Sequence, residues 1–547
     1  MTDLISGSGV VAPTPWDPLH AASPAGCHWT RANIGEALPG VATPLTWSIW
    51  EVGAEIAGRG GFHALGAATR AESMVPADRD QRFTRAFYGR GAVRVDFLAT
   101  MGNRIPGTSG AAIAEQLLGN APAELLGRPS RRRYPVIAVR MPLTFLRVPR
   151  QLRRAAADTK IWWLRNTASA ANLTETDALA LFVQARDRFW QNTRLQGTAL
   201  FCVVQPIYDA LDHITANTGV GDLTSMTSGY GSVPEAAVVG DLWKASRGEI
   251  DLAAVVARHG YHGPREGELS AKSWREDSGP LRRFLVEYAA MDESQDPLIR
   301  EAQLAAQRRG MEQALLAALP ASRRPLVRTL FRLAAQRIPL RGIAKDAFLM
   351  SLDVLRASAR RIGELLAAQG VLADPDDVFF LTDDEVTATR PANVQELIAR
   401  RRARYDHYLS VELPSEWAGG PVPIDLSVSA GESDVITGVG VSPGVVEGYA
   451  RVVIDPDFDE VEPGEILVAA STDPSWASIM FISAALVVDI GGALSHAAIV
   501  ARELGVPCVV NTGTGSRRIR TGDRCRVDGK TGTITILQHA SNGQETS

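Results

Sequence analysis

The spacing of apolar residues changes once along this chain of 547 residues, and the change constrains its fold more than any other feature. Over residues 28–415 apolar residues recur every three or four positions, as in AKDAFLMSLDVLRASARRIGELLAAQG, which is typical of helices with one buried face. After residues 416–433, rich in Pro, Gly and Ser, short β-type runs follow. The sequence therefore predicts a multidomain α + α/β protein, with a large, mainly helical domain over 28–415, a linker over 416–433 and a compact α/β domain over 434–540.

Local signals predict where several of these elements begin and end. The pair Thr174-x-x-Asp177 is a capping box, so a helix is expected from Thr174 to about Asn192. Gly370 is expected to end the long helix that precedes it. The first 27 residues are read as a flexible N-terminal segment, and residues 541–547 as a tail.

Composition excludes several classes of function. The chain carries 57 basic and 61 acidic residues, a balance that favours neither nucleic acid nor anionic lipid as a partner. The longest apolar run, residues 479–490, is shorter than the roughly 20 residues of a membrane-spanning helix. The four cysteines are scattered, which argues against a disulfide framework or a thiolate zinc site. No signal peptide is recognisable, so we expect a cytoplasmic protein.

The segment VVDIGGALSHAAIVARELGVPCVV carries the most chemical information. It predicts a buried strand, a turn at Gly491-Gly492, a helix capped by Ser495 and ended at Gly505, and a further strand. His496 then lies in the first helical turn, where free amides favour an anion, and could carry a phosphoryl group on a ring nitrogen. From spacing alone, an ordinary exposed histidine at a helix start remains equally open.

The same run resembles the phosphohistidine signature of the PEP-utilising enzyme mobile (swivelling) domain family. GVGVSPGVVEGYARVV, TDPSW and GDRCRVDGKTGTITIL, on either side of it, resemble other parts of that domain. Three earlier segments, residues 29–51, 259–277 and 370–386, resemble the middle domain of rifampin phosphotransferase-like and phosphoenolpyruvate synthase-like members. Two departures leave the substrate open: His262 stands where the family usually has Arg, and Lys272-Ser273 where it has Pro-Arg.

The resemblance implies that His496 is the catalytic residue of a phosphotransferase component with a phosphohistidine intermediate. The phosphate neighbourhood would consist of Gly491, Gly492, Ser495, Thr472 and Arg502. No segment of the chain resembles an ATP-grasp domain, so ATP and Mg²⁺ are expected on a separate ATP-grasp partner, with no metal site and no tightly bound cofactor on this chain. A small organic molecule would accept the phosphoryl group, and its identity remains open.

A charged cluster in residues 259–277 could line the acceptor pocket. It consists of His262, Arg265, Glu266 and Glu268, and Arg265 could meet a phosphate or carboxylate as a planar fork. The alternative is an ion-paired turn that holds helices together, which is the commoner use of such residues.

Two further alternatives stay open. Residues 127–154 contain nine arginines and no acid. Such a basic amphipathic stretch can lie on a membrane or bind a phosphate-rich partner, but more often it is a solvated helix face or docks an acidic partner. The whole chain could also be a non-catalytic ligand-binding or docking protein that retains a swivelling domain.

Overall fold

The computed structural model describes residues 13–31, 34–118, 122–125, 127–221, 226–230, 234–424, 433–453, 461–472, 476–492 and 495–540. Contacts divide the chain into two compact units. The first comprises Met1–Ile207, Gly267–Ala271 and Leu340–Leu426; the second comprises Tyr208–Glu266, Lys272–Pro339 and Ser427–Ser547.

Helices form most of the first unit. They are α1 (Ile34–Ala37), α2 (Pro44–Leu65), α3 (Val95–Gly102), α4 (Gly110–Leu118), α5 (Tyr134–Ser169), α6 (Glu175–Ala199), the start of α7 (Gln205–Thr218), α13 (Leu340–Ala368), α14 (Asp383–Thr387) and α15 (Val394–Leu409), with a π-helical turn at Leu200–Val204 after α6. The apolar faces of α2, α5, α6 and α13 meet in a core that includes Phe62, Leu152, Cys202 and Leu340. Burial of these faces explains the three-and-four period of the sequence.

A small antiparallel sheet completes the first unit. Among the described residues its strands are β1 (His28–Thr30), β2 (Thr84–Phe87), β3 (Arg90–Arg94) and β4 (Glu416–Ala418), in the order β2-β3-β1-β4. Trp29 pairs with Arg94 on one side and with Trp417 on the other. Residues 416–418, predicted as linker, are therefore held in this sheet, and residues 425–432 of that linker lie outside the described residues.

Residues 13–27 differ from the flexible segment that the sequence suggested. Leu19 is 2% exposed, its carbonyl accepts a hydrogen bond from the Gly89 amide at 2.8 Å, and the Tyr408 hydroxyl donates to Asp17 at 2.5 Å. Composition suggested flexibility because Pro, Gly and Ser are frequent here, whereas Asp17, Leu19 and His20 are buried and hold the segment in place. Residues 1–12 and 541–547 lie outside the described residues.

The second unit combines helices with a larger sheet. Its helices, besides most of α7, are α8 (Pro234–Ser246), α9 (Leu252–His259), α10 (Gly279–Ala290), α11 (Pro297–Ala318), α12 (Arg324–Arg337), α16 (Ala477–Ile482), α17 (His496–Leu504) and α18 (Gly515–Arg518). Its strands are β5 (Val435–Thr437), β6 (Val439–Ser442), β7 (Val445–Val453), β8 (Ile466–Ala469), β9 (Ala485–Val488), β10 (Cys508–Val510), β11 (Arg524–Asp528) and β12 (Thr533–Gln538).

Within the described residues these strands form one sheet in the order β5-β12-β11-β7-β8-β9-β10-β6. The strands β7, β8, β9 and β10 are parallel neighbours, and the pairs on either side of them are antiparallel. Buried β8 and β9 are continuous apolar runs, as expected where both faces of a sheet are covered. Six of the strands and α17 match the β-type runs and the helix predicted from the sequence.

The core of the second unit joins distant parts of the chain. Trp243, Trp274 and Tyr288 from the helical region pack with Phe481 and Leu504 from the α/β region. The division made from sequence, with all of residues 28–415 in one helical domain, differs from this arrangement, because residues 208–266 and 272–339 group with the α/β region. Periodicity shows that a helix buries one face, but it does not show what covers that face. None of the helices in the described residues combines the length and the apolarity needed to cross a membrane.

Candidate functional site

Three parallel strands end at one edge of the larger sheet, beside the residues singled out in the sequence. Since β8, β9 and β10 run in the same direction, the segments that follow them lie side by side. The Asp489 amide donates to the Ala469 carbonyl at 3.0 Å, and the Ile490 amide donates to the Ala470 carbonyl at 3.0 Å. The turn after β9 therefore continues beside the segment that leads to Thr472.

The carboxylate of Asp489, which was not among the predicted site residues, holds together the segments at this edge of the sheet. Asp489 is buried, and it accepts hydrogen bonds from the hydroxyls of Thr512 and Ser516, each at 2.5 Å. It thereby joins the turn after β9 to the segment after β10. The signal that could have identified it is an acid placed directly after four buried apolar strand residues.

The predicted glycine turn follows Asp489, and its two glycines have different roles. Gly491 has φ +152°, and a Cβ at this position would lie 3.0 Å from the Ser495 hydroxyl oxygen. A side chain there would push Ser495 away from its place. Gly492 is exposed, and a Cβ on it would meet nothing within 4 Å. Gly491 is therefore required by packing, and Gly492 leaves open space in front of the turn.

The helix α17 begins at His496, as the sequence predicted. The Ser495 hydroxyl accepts a hydrogen bond from the Ala498 amide at 3.2 Å, and Gly505 ends the helix with φ +60°. The backbone of His496 is therefore in the first turn, where amides without helical partners favour an anion. The side chain of His496 lies outside the described residues, as do residues 493 and 494.

Thr472 lies at the same edge. It is 2% exposed, and its hydroxyl oxygen has no hydrogen-bond partner among the described residues. A buried hydroxyl without a partner is costly and is kept where it has a further role. Of the TDPSW segment, residues 473–475 lie outside the described residues.

Arg502 lies at the opposite end of α17 from His496. The two residues are six apart, or about 9 Å along the helix axis. The Arg502 Nε donates to the Val441 carbonyl at 2.7 Å, and the residue is 8% exposed. This contact joins α17 to β6, and the suggested place of Arg502 beside the phosphate stays a prediction.

Two groups near Arg502 have pKa values shifted by burial. Burial raises the pKa of Glu503 to about 7, although the Gly229 amide donates to this carboxylate at 3.1 Å and opposes the shift. Burial also raises the pKa of the Cys508 thiol to about 12. All four cysteines are free and buried, so at neutral pH the Cys508 thiol is protonated and unsuited to be a nucleophile.

The charged cluster predicted as a pocket is divided between the two units. His262 and Glu266 belong to the second unit, where the Nδ1 of His262 lies 2.7 Å from the Glu266 carboxylate and both residues are buried. Arg265 is partly buried with φ +51°, an uncommon conformation for a residue other than glycine. Buried ion pairing within a turn is the alternative that the sequence left open, and the geometry favours it.

Glu268 belongs to the first unit and is fully buried. Its carboxylate accepts hydrogen bonds from the hydroxyls of Thr43 at 2.7 Å, Thr46 at 2.6 Å and Ser270 at 2.9 Å. The Thr43 and Ser270 amides also donate to it. With this many donors already bound, Glu268 has a structural role in the first unit, and its suggested part in an acceptor pocket stays a prediction.

The comparisons with known proteins address the second unit. Residues 461–532 match the family model of the PEP-utilising enzyme mobile domain, and residues 214–342 match the model of the rifampicin phosphotransferase fourth domain. The first match, and all of the second except residues 267–271 and 340–342, lie within the unit whose core joins Trp274 and Tyr288 to Phe481.

Several curated proteins are similar to parts of the chain. An uncharacterised protein of Mycobacterium tuberculosis is 35% identical over 284 residues, which are 52% of this chain and 31% of that protein. A rifampicin phosphotransferase of Streptomyces sviceus is 32% identical over 296 residues, 52% of this chain and 34% of the enzyme. The prodigiosin synthesizing transferase PigC of Serratia marcescens is 30% identical over 302 residues, 53% of this chain and 33% of the transferase.

The aligned region thus spans about a third of each of these relatives. The predicted resemblance is confirmed at the level of these two segments: one matches the PEP-utilising enzyme mobile domain, the other matches the rifampicin phosphotransferase fourth domain, and parts of the chain are similar to rifampicin phosphotransferases.

Proposed function

We propose that this chain is a phosphotransferase component that carries a phosphoryl group on His496. The observation that supports the proposal most directly is the position of His496 at the N-terminus of α17, after the open turn at Gly492, within a segment that matches a PEP-utilising enzyme mobile domain. Free amides at the helix start and the absence of side chains in the turn suit a tetrahedral anion on the imidazole.

The chemistry consists of two in-line transfers. An unprotonated ring nitrogen of His496 attacks the β-phosphorus of ATP, so that an N–P bond forms while the P–O bond to AMP breaks. Water then cleaves the P–O bond between the β- and γ-phosphates, which releases inorganic phosphate and leaves the β-phosphoryl group on the imidazole. The acceptor oxygen then attacks the same phosphorus, the N–P bond breaks and the imidazole is regenerated. Thr472, Ser495 and the helix amides would position the group, and Asp489 would keep the turn in place.

We place the donor on another polypeptide: an ATP-grasp protein that binds ATP and Mg²⁺ and passes on the β-phosphoryl group, as the family resemblance suggests. The acceptor would be a small organic hydroxyl or enolate compound. Rifamycin-like antibiotics, phenols, pyruvate and other small alcohols remain candidates, since one relative is named for rifampicin and another for the synthesis of prodigiosin.

The proposal is tested by transfer of label. The full chain is mixed with ATP-grasp proteins encoded near its gene and with ATP labelled at the β or the γ position. We expect label that is stable in base and labile in acid, typical of phosphohistidine, and we expect it to fall to background in His496→Ala. A matched control is His539→Ala, because His539 is 56% exposed and lies in the same unit.

Label retained by His496→Ala would overturn the assignment of the carrier. Label absent from the wild-type chain with every ATP-grasp protein of the source genome would favour the alternative, a binding protein that retains the domain without phosphoryl transfer.

A further inference from the structure

The helix α5, which spans Tyr134–Ser169, has apolar residues on two faces. One face is buried in the core of the first unit and includes Ile137, Val148, Leu152 and Trp163. Burial of this face fixes the helix in place, so the residues on the other side are held in a defined arrangement towards solvent.

The second face exposes five large apolar residues, which we call the α5 stripe. They are Val139 at 62%, Leu143 at 45%, Leu146 at 60%, Ile161 at 64% and Leu164 at 43% exposure. Their positions are separated by 4, 3, 15 and 3 residues, spacings that return to the same side of a helix. The stripe runs about 38 Å along the axis, at 1.5 Å per residue. Two groups of exposed apolar residues on the same side of one helix mark an interaction site more often than scattered apolar residues do.

Cations occupy the middle of the stripe. Arg147, Arg150 and Arg154 are exposed and make no hydrogen bond or ion pair with any residue of the described part of the chain. Arg133 and Arg140, by contrast, donate to backbone carbonyls at the end of α2. Residues 127–154 contain nine arginines and no acid, and the next carboxylate along the helix, that of Asp158, forms no ion pair with these three guanidinium groups in the described part of the chain.

We propose that the α5 stripe binds an acidic amphipathic helix of another protein. Such a helix would place apolar side chains against Val139, Leu143 and Leu146 at one end and against Ile161 and Leu164 at the other. Its central carboxylates would pair with Arg147, Arg150 and Arg154, whose planar guanidinium groups bind carboxylates with two hydrogen bonds. In this mode of binding the partner helix lies along α5, and the apolar residues of the partner repeat every three or four positions.

The order of residues along the stripe favours a protein over a lipid surface. A helix that lies in a membrane keeps its cations at the borders of a continuous apolar face. Here Arg150 stands on the line between Leu146 and Ile161, where it would enter the acyl region. A nucleic acid is disfavoured too, because the five apolar residues are aliphatic and provide no ring for stacking with bases. The proposal is independent of phosphoryl transfer by His496.

The test uses a synthetic helical peptide as the probe and the full chain as the receptor. The peptide is about 28 residues long, with Leu every three or four positions near both ends and Glu on the same face in the middle. Binding of the fluorescent peptide is measured by anisotropy at low and high salt. We expect binding that weakens with salt, and at least a tenfold loss in Arg147→Glu/Arg150→Glu/Arg154→Glu.

A peptide with Lys in place of the central Glu should bind that triple variant better than it binds the wild type. The matched control is Arg70→Glu/Arg309→Glu/Arg328→Glu, which changes three exposed arginines on other elements and the net charge by the same amount. Leu143→Ser/Leu146→Ser, which leaves the charges unchanged, should also lower the affinity for the peptide at least tenfold. Circular dichroism establishes that each variant is folded.

Three outcomes would overturn the proposal. The wild-type chain could fail to bind the peptide, a peptide of the same composition but scrambled order could bind equally well, or both triple variants could lose affinity to the same extent. Phosphatidylcholine vesicles containing phosphatidylglycerol serve as the lipid probe, and binding to them without binding to the peptide would instead assign the stripe to a membrane surface.

Discussion

At the scale of single residues, buried carboxylates fix the positions of backbone segments in both units. Glu268 gathers the Thr43, Thr46 and Ser270 donors in the first unit, while Asp489 gathers Thr512 and Ser516 in the second. Each of these acids joins segments distant in the sequence. A carboxylate that accepts several hydrogen bonds is difficult to replace, because its removal leaves buried donors without partners.

The first prediction concerns Glu268. Glu268→Ala should lower the free energy of unfolding by about 2–4 kcal/mol, since the hydroxyls and amides around it would be left buried and unpaired. Urea denaturation followed by circular dichroism measures the change. Glu364→Ala is the control, because Glu364 is 52% exposed, and it should change stability by less than about 1 kcal/mol. Equal effects of the two substitutions would contradict the structural role of Glu268.

The second prediction concerns Glu503 and pH. Its pKa is raised to about 7 by burial, with Glu301 adding to the shift and the Gly229 amide, Arg308 and Arg502 opposing it. Between the ordinary pKa of Glu and about 7, the folded state holds a proton that the unfolded state has lost. The contribution of Glu503 to stability is therefore present at low pH and is lost as pH rises towards 7.

Glu503→Gln, which cannot ionise, should gain stability relative to the wild type as pH rises from about 5 to 8, by a few kcal/mol at most. Urea midpoints at both pH values measure this, and Glu462→Gln, an exposed site in the same unit, controls for a change of net charge. Parallel pH dependence of wild type and Glu503→Gln would show that the carboxyl is not buried as described.

At the scale of elements, the start of α17 depends on its cap. Ser495→Ala removes the hydroxyl that accepts from the Ala498 amide, so we expect a loss of about 1 kcal/mol and faster hydrogen exchange in the first turn. Ser495→Asp, which can also cap, should restore most of the protection. If both variants exchanged like the wild type, the cap would have no part in holding the helix start that presents His496.

At the scale of the whole molecule, the second unit depends on a core shared by its two matched segments. Tyr288 is fully buried, and it packs with Phe481 of α16, their ring centroids 5.2 Å apart. Tyr288→Ala should therefore cost about 3–5 kcal/mol and should lower hydrogen-exchange protection in β9 and α16 as well as in α8 and α10. Loss of protection limited to α8 and α10 would mean that the segments fold separately.

Much of the local structure was predictable because it depends on nearest neighbours. The capping hydroxyl of Thr174, the end of α13 before Gly370 and the strand-turn-helix around Ser495 follow from residue type and short spacing. The candidate site at the edge of the larger sheet, where β8, β9 and β10 end, was only partly predictable. The spacing of residues pointed to His496 and Gly491, and the family resemblance added Thr472, but Asp489 was missed, since its partners Thr512 and Ser516 follow 23 and 27 positions later.

The sequence by itself determined that most of residues 28–415 is helical, that six β-type runs follow, where α17 begins, and that the segment around His496 resembles the PEP-utilising mobile domains. These properties are set by hydrophobic period, caps and motif. The strands β1, β2 and β3 of the first unit were not predicted. Only the tertiary structure decided that residues 208–339, apart from 267–271, group with the α/β region, that Glu268 and His262 lie in different units, and that one apolar face of α5 stays uncovered. An amphipathic pattern states that a face is apolar, whereas what packs against it depends on contacts between residues far apart in the chain.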